Sequence, residues 1–471
     1  MFPPRKLSLT ALVVGLAIVL GGVVRIYYLA DQNITRDEIV ALKIAPQIGD
    51  SNLAQPVNLA GAIKDNLFYG THPPAYPVMI FAVTRIFGSR LAAIRLLSVL
   101  FGVASIALVS WLGLIVGQRI PGCIAAVLLA FNGYHATRTA GPYTLACFLS
   151  LLSTILLIFL SRETRRRRMI EFLYGVVMLF GLASQHYFWA LLAAHMVWVL
   201  ANAWVQERRF PRLLSIQIFV MILGSPLLAI SRLQSINGVA SLGARFAVIA
   251  GEYVQFFWIL PGSDDLGVAD PFSPVLSVIL RAALCMFCLW LLVVGFRRLI
   301  PVDDPTLSAP AKPFILLWIL ATLLATLANA GLVLATRHQI ALSPGSWILT
   351  LRGVEVLAVL PSILFMGAIT AVQAWQPLRA FGKDFYPQFF VGDKRLILLL
   401  TFFPFALLAI ASAFQRPFLS PAGLLFVAPF LLLTLACGIV AIGRRSRPLA
   451  IALFLVLATL HAFSLYAYSA R

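Results

Sequence analysis

Asp37 and Glu38 stand side by side just after the first apolar run of the chain. A carboxylate so placed can serve as a general base towards a hydroxyl, its pKa tuned by burial and neighbouring charge. Thr71-His72-Pro73-Pro74 follows, then Arg95, Tyr134-His135 with Arg138, and Gly141-Pro142-Tyr143. Gln185-His186-Tyr187, Arg337-His338, and Arg352 with Glu355 come later. Arginine grips a phosphate through paired N–H donors and neutralises its charge as it departs. Pro142 suits the first turn of a helix, whose N-terminus also favours an anion. Carboxylate, arginines and helix ends beside apolar runs fit transfer of a group away from a lipid phosphate. Each residue also has a plainer reading. The Asp-Glu pair suits a solvated loop, Arg95 and Arg352 can snorkel to headgroups, and His186-Tyr187 can anchor at an interface. His195 lies within an apolar run, where a helix–helix hydrogen bond is the expected use. The functional reading rests on convergence at one face.

Apolar runs supply the elements that position these residues. Hydrophobic residues make up 61% of the 471 and charged residues 11%, against about 25% charged in a soluble domain. Runs of roughly 18 to 24 residues match a hydrocarbon core. Hydropathy predicts an all-α polytopic membrane protein, one integral domain over 1–471, with about thirteen spans. They fall near 7–29, 91–116, 120–135, 142–160, 170–186, 189–205, 213–231, 273–296, 313–335, 353–375, 395–413, 419–442 and 448–468. Placing the N-terminus inside puts Arg162 with Arg165–Arg168, Arg208-Arg209-Arg212, Arg297-Arg298 and Arg444-Arg445-Arg447 in inner loops, as the positive-inside rule requires. The C-terminus and the polar cluster then lie outside. The net charge of +19 is spread over these short loops, which argues against a nucleic-acid surface.

The stretch Ala75–Phe87 is too short to cross and reads as an interfacial helix on the outer face. Residues 30–90 thus form a first outer loop and 231–272 a second, with Glu252, Asp264, Asp265 and Asp270. Met1 to Val24 resembles a signal peptide with too long a core, so a retained anchor is expected. Cys123, Cys147, Cys285, Cys288 and Cys437 all sit in apolar runs and read as buried thiols, the CxxC spacing of Cys285 and Cys288 having no second pair to complete a zinc site.

Several stretches are familiar in order. Arg36-Asp37-Glu38 running to Ala45, Thr71-His72-Pro73-Pro74 with Tyr76, Phe87-Gly88, Arg95 through Gly102, Tyr134-His135 to Tyr143, and Ser184-Gln185-His186-Tyr187-Phe188 resemble the lipid-phosphate-dependent glycosyltransferases of the C-type fold. The branch is that of protein O-mannosyltransferases and lipid A aminoarabinose transferases. Arg352 through Pro361 looks like the family's arginine-bearing segment that opens a late span. The likeness is good over 1–210 and thin beyond.

The resemblance implies transfer of a sugar from a polyprenyl-phosphate donor to an acceptor hydroxyl, with inversion at the anomeric carbon. Asp37 is then the base and Glu38 its support. Arg352 and Arg138 hold the donor phosphate, and His72, Tyr143, His186 and Tyr187 line the sugar and phosphate pocket. Thr139 and Gly141 stand where many relatives carry a glutamate and an arginine, and Gly353 where they carry an aromatic. No appended outer domain is evident, which favours a membrane-borne lipid or lipid-linked glycan as acceptor at the outer face of a bacterial inner membrane. No metal is expected to be essential, since one carboxylate pair supplies too few ligands. The competing reading is a lipid or polysaccharide transporter, or an assembly subunit without catalysis. It predicts charges at mid-span and an internal repeat, and neither is evident in the sequence.

Overall fold

The computed structural model describes residues 9–27, 73–88, 91–132, 142–162, 166–205, 210–234, most of 288–299, 392–414 and 423–469. All of its secondary structure there is helical. That is the expected outcome for apolar segments in lipid, where each backbone N–H and C=O must be satisfied within its own helix.

The helices are α1 (Leu9–Tyr27), α2 (Ala75–Phe87), α3 (Leu91–Ile115), α4 (Arg119–Phe131), α5 (Tyr143–Ser161), α6 (Arg167–Ser184), α7 (Phe188–Val205), α8 (Phe210–Gln234), α9 (Asp393–Phe414), α10 (Ala428–Gly443) and α11 (Arg447–Ser469). Their bounds follow the hydropathy within a few residues. One expected span is divided: 419–442 contains a 3-10 turn, Gly423–Phe426, before α10 begins. The spans expected at 313–335 and 353–375, and most of the one at 273–296, lie outside the described residues. α1, α5 and residues Ala92–Ile115 of α3 are long and apolar enough to cross a membrane. The protein is a multi-pass membrane protein.

α5 and α10 form the interior. α5 packs on α3, α6, α7 and the 3-10 turn, and α10 on α4, α9 and α11. Nearly every α5 residue is buried. α1 instead turns Leu12, Leu16, Val19 and Val23 outward, the apolar face a helix shows to lipid. The connection from α3 to α4 is tight because Gly117 takes φ +73 and the Gln118 N–H donates to Gly113 O at 2.6 Å. A Cβ on Gly113 would run into the Gly122 backbone, so the two helices touch main chain to main chain, as small residues allow in membranes.

Ionic contacts tie the helix ends on one side together. Arg162, after α5, donates to Ile115 O at the end of α3 at 2.9 Å and pairs with Asp393 at the start of α9. Glu171, near the start of α6, is bridged by Arg167 at 3.0 Å and by Arg212 of α8 at 2.8 Å. The ends predicted to share the inner side therefore do share one side. Within the bundle His195 of α7 meets Thr154 of α5 at 3.2 Å and Tyr174 of α6 at 3.1 Å. Gln217 of α8 donates to the Tyr174 hydroxyl at 3.0 Å. His195 is thus the interhelical hydrogen-bonding residue it was expected to be. Cys123, Cys147, Cys288 and Cys437 are buried free thiols; Cys285 lies outside the described residues.

Candidate active site

Opposite the arginine-rich end, the described polar residues gather at the ends of α1, α2, α3, α4 and α5 and at the α6–α7 turn. Arg25, in the last turn of α1, is 2% exposed. Its Nη1 donates to Gly21 O at 2.8 Å and to Ala130 O at 3.0 Å, and its Nη2 to Leu129 O at 3.2 Å. Leu129 and Ala130 belong to the last turn of α4, where carbonyls lack intrahelical donors and the helix dipole is negative. The cation therefore finishes α4 and joins it to α1. Gly21 permits this approach, since a Cβ there would lie 3.1 Å from Arg25 Nη1 and 3.2 Å from Ala130 Cβ. Nothing but a single arginine in an apolar run marked this residue in the sequence.

Tyr76, in the first turn of α2, is buried, and its hydroxyl lies 3.1 Å from Ser98 Oγ of α3. One turn earlier in α3, Arg95 is completely buried. This excludes the snorkelling reading: the guanidinium is held inside the protein instead of reaching for headgroups. α2 itself is the predicted short helix, and it packs on α3 and α6 through Tyr76, Pro77, Ile80 and Thr84.

Pro142 precedes Tyr143, which opens α5, and Pro142 O accepts the Ala146 N–H at 2.8 Å. Tyr143 is 6% exposed, while the hydroxyl of neighbouring Thr144 is buried without a hydrogen-bond partner.

Gln185, His186 and Tyr187 form the turn between α6 and α7. Phe188, Trp189 and Ala190 donate to the carbonyls of Gln185, His186 and Tyr187 at 3.1, 3.3 and 3.0 Å. Gln185 Nε2 donates to Gly423 O at 3.1 Å, which fixes the orientation of the amide because only its nitrogen can face a carbonyl. The Tyr187 ring lies on Gly423, where any Cβ would overlap it. Ser150 of α5 donates to Phe426 O at 2.9 Å. The 3-10 turn is thereby wedged between α5 and the α6–α7 turn, and it fixes how Tyr187 is presented.

Of the predicted site residues, Tyr143, His186 and Tyr187 are placed at this end. Asp37, Glu38, His72, Arg138 and Arg352 lie outside the described residues. Among the described residues no cluster of three metal-binding side chains occurs.

Residues 71–230 match the family model described as dolichyl-phosphate-mannose-protein mannosyltransferase. Over that stretch the chain is similar to these membrane glycosyltransferases. The resemblance read from the motifs is thereby shown over 71–230, a segment that contains Tyr76, Arg95, Tyr143 and the Gln185–Tyr187 turn; the Arg36–Ala45 and Arg352–Pro361 stretches lie outside the match. Two solved structures are also similar. One is the archaeal oligosaccharyltransferase AglB from Archaeoglobus fulgidus, in complex with an inhibitory peptide and a dolichol-phosphate, at 12% identity and a TM-score of 0.45. The alignment covers 98% of this chain and 55% of that one, so the chain spans about half the length of the archaeal enzyme. The other is ArnT from Cupriavidus metallidurans bound to undecaprenyl phosphate, at 12% identity and a TM-score of 0.37, covering 94% of this chain and 80% of that one. No protein of curated function matches the chain.

Proposed function

We propose that the protein is an inverting glycosyltransferase that moves a sugar from a polyprenyl-phosphate donor to a hydroxyl of a lipid or lipid-linked glycan. The observation that carries this reading is the family match over residues 71–230. The buried polar side chains at one end of that segment support it, since polar groups among apolar helices are costly and mark function.

In the proposed reaction the acceptor oxygen attacks the anomeric carbon as the bond from that carbon to the phosphate oxygen breaks on the opposite face. Asp37, supported by Glu38, takes the acceptor proton. Arg352 and Arg138 offset the charge growing on the departing polyprenyl phosphate. His72, Tyr143, His186 and Tyr187 orient the sugar and phosphate. The site faces the outer side of a bacterial inner membrane, with the N-terminus on the cytoplasmic side. No essential metal takes part, so activity is expected to survive a chelator.

Purified protein in sealed vesicles, given a labelled polyprenyl-phosphate sugar and lipid acceptors, tests this. Label joined covalently to an acceptor is the expected outcome. Label that crosses the bilayer with its phosphate bond intact points to a transporter and removes the glycosyltransferase reading.

A further inference from the structure

At the arginine-rich end one turn carries three arginines with no carboxylate partner among the described residues. α10 and α11 are joined by Arg444, Arg445 and Ser446, and α11 opens with Arg447. Arg445 and Ser446 donate their N–H groups to Ile442 O at 2.8 and 2.9 Å, and Leu449 N–H reaches Ser446 Oγ at 3.4 Å. The turn is therefore a fixed shape holding three exposed arginines. Arg298 adds a fourth cation nearby, donating to Cys437 O of α10 at 3.5 Å.

Like charges held together in this way need a counter-charge, and the described carboxylates do not supply it. Glu171 is taken by Arg167 and Arg212, and Asp393 by Arg162. Directly along the chain, α11 turns Leu449, Ile451, Leu455 and Val456 outward, each about half exposed. A fixed cationic turn at the head of an outward apolar helix face is complementary to one kind of molecule: an anionic headgroup carrying acyl chains.

We propose that the α10–α11 turn is a binding site for an anionic phospholipid of the leaflet at the arginine-rich end. The headgroup phosphate pairs with Arg444, Arg445 and Arg447, and the acyl chains lie along the Leu449–Val456 face of α11. This site is on the opposite side from the proposed active site and does not depend on the glycosyltransferase reading.

The test uses the full chain in nanodiscs of phosphatidylcholine, titrated with cardiolipin and followed by native mass spectrometry and thermal unfolding. Wild type should retain cardiolipin and unfold at a higher temperature as it is added, the more so at low salt. R444Q/R445Q/R447Q should bind cardiolipin more weakly by on the order of a hundredfold, from the share each basic residue contributes at an anionic surface. Its unfolding in phosphatidylcholine alone should match wild type, which shows that the fold is kept. R166Q/R168Q, at another turn of the same end, should leave binding unchanged. Equal losses in both variants, no loss in the first, or no preference for cardiolipin in wild type would each overturn the assignment.

Discussion

Arg25 shows how a single side chain can settle a helix junction. Its guanidinium satisfies two carbonyls at the end of α4 together with one of its own helix. Arg25→Met should therefore lower stability by about 2–3 kcal/mol, the scale for losing hydrogen bonds to a buried charged group, as read from thermal or denaturant unfolding in detergent. Gly423 is a different case, because its lack of a side chain makes room for the Tyr187 ring. Gly423→Ala should push Tyr187 out of place and weaken donor use by roughly tenfold to a hundredfold, as small misplacements near a reacting centre do, and overpacking should cost about 1–3 kcal/mol in unfolding. Kinetics with a polyprenyl-phosphate sugar would check it; unchanged kcat/KM would remove Tyr187 from the pocket. Motif and position marked Tyr143, His186 and Tyr187 in the sequence. They did not mark Gly423, because its role depends on a contact with a residue over two hundred positions away. Arg95 was visible but ambiguous: an arginine at a span end reads the same whether it snorkels or is buried, and only packing decides.

Among the helices, legibility was high wherever the signal was local. Apolar runs placed α1, α3 and α5 through α8, and α9 and α11, within a few residues of their observed bounds, since a lipid-spanning helix is written in its own composition. The division of one expected span at Gly423–Phe426 was not legible, because Gly423, Leu424, Leu425 and Phe426 are as apolar as a helix. Ties between helices were equally hidden. The Thr154–His195–Tyr174–Gln217 chain links α5, α7, α6 and α8, yet the sequence showed only that His195 needed some partner. Such bonds in membrane bundles are individually modest, averaging about 0.6 kcal/mol. Tyr174→Phe should then cost less than about 2 kcal/mol, and combining it with His195→Leu should cost less than the two losses added. A double-mutant cycle by unfolding would measure this, and strict additivity would show that the two residues are not coupled.

Across the whole molecule the two ends differ in chemistry. Arg162, Arg167 and Arg212 join helix starts and stops through Asp393 and Glu171 on one side. Arg25, Tyr76, Arg95, Tyr143 and the Gln185–Tyr187 turn collect at the other. Charge counting anticipated this polarity because basic residues concentrate in short loops on one side of a membrane. The proposed catalytic carboxylates follow α1 in the sequence, and the proposal is that one of them is the base. Purified wild type and Asp37→Asn can be compared for transfer from a polyprenyl-phosphate sugar, with binding of undecaprenyl phosphate measured alongside. Transfer should fall by about a hundredfold or more in the variant, with binding of the lipid phosphate retained. Transfer at the wild-type rate by Asp37→Asn would contradict the account.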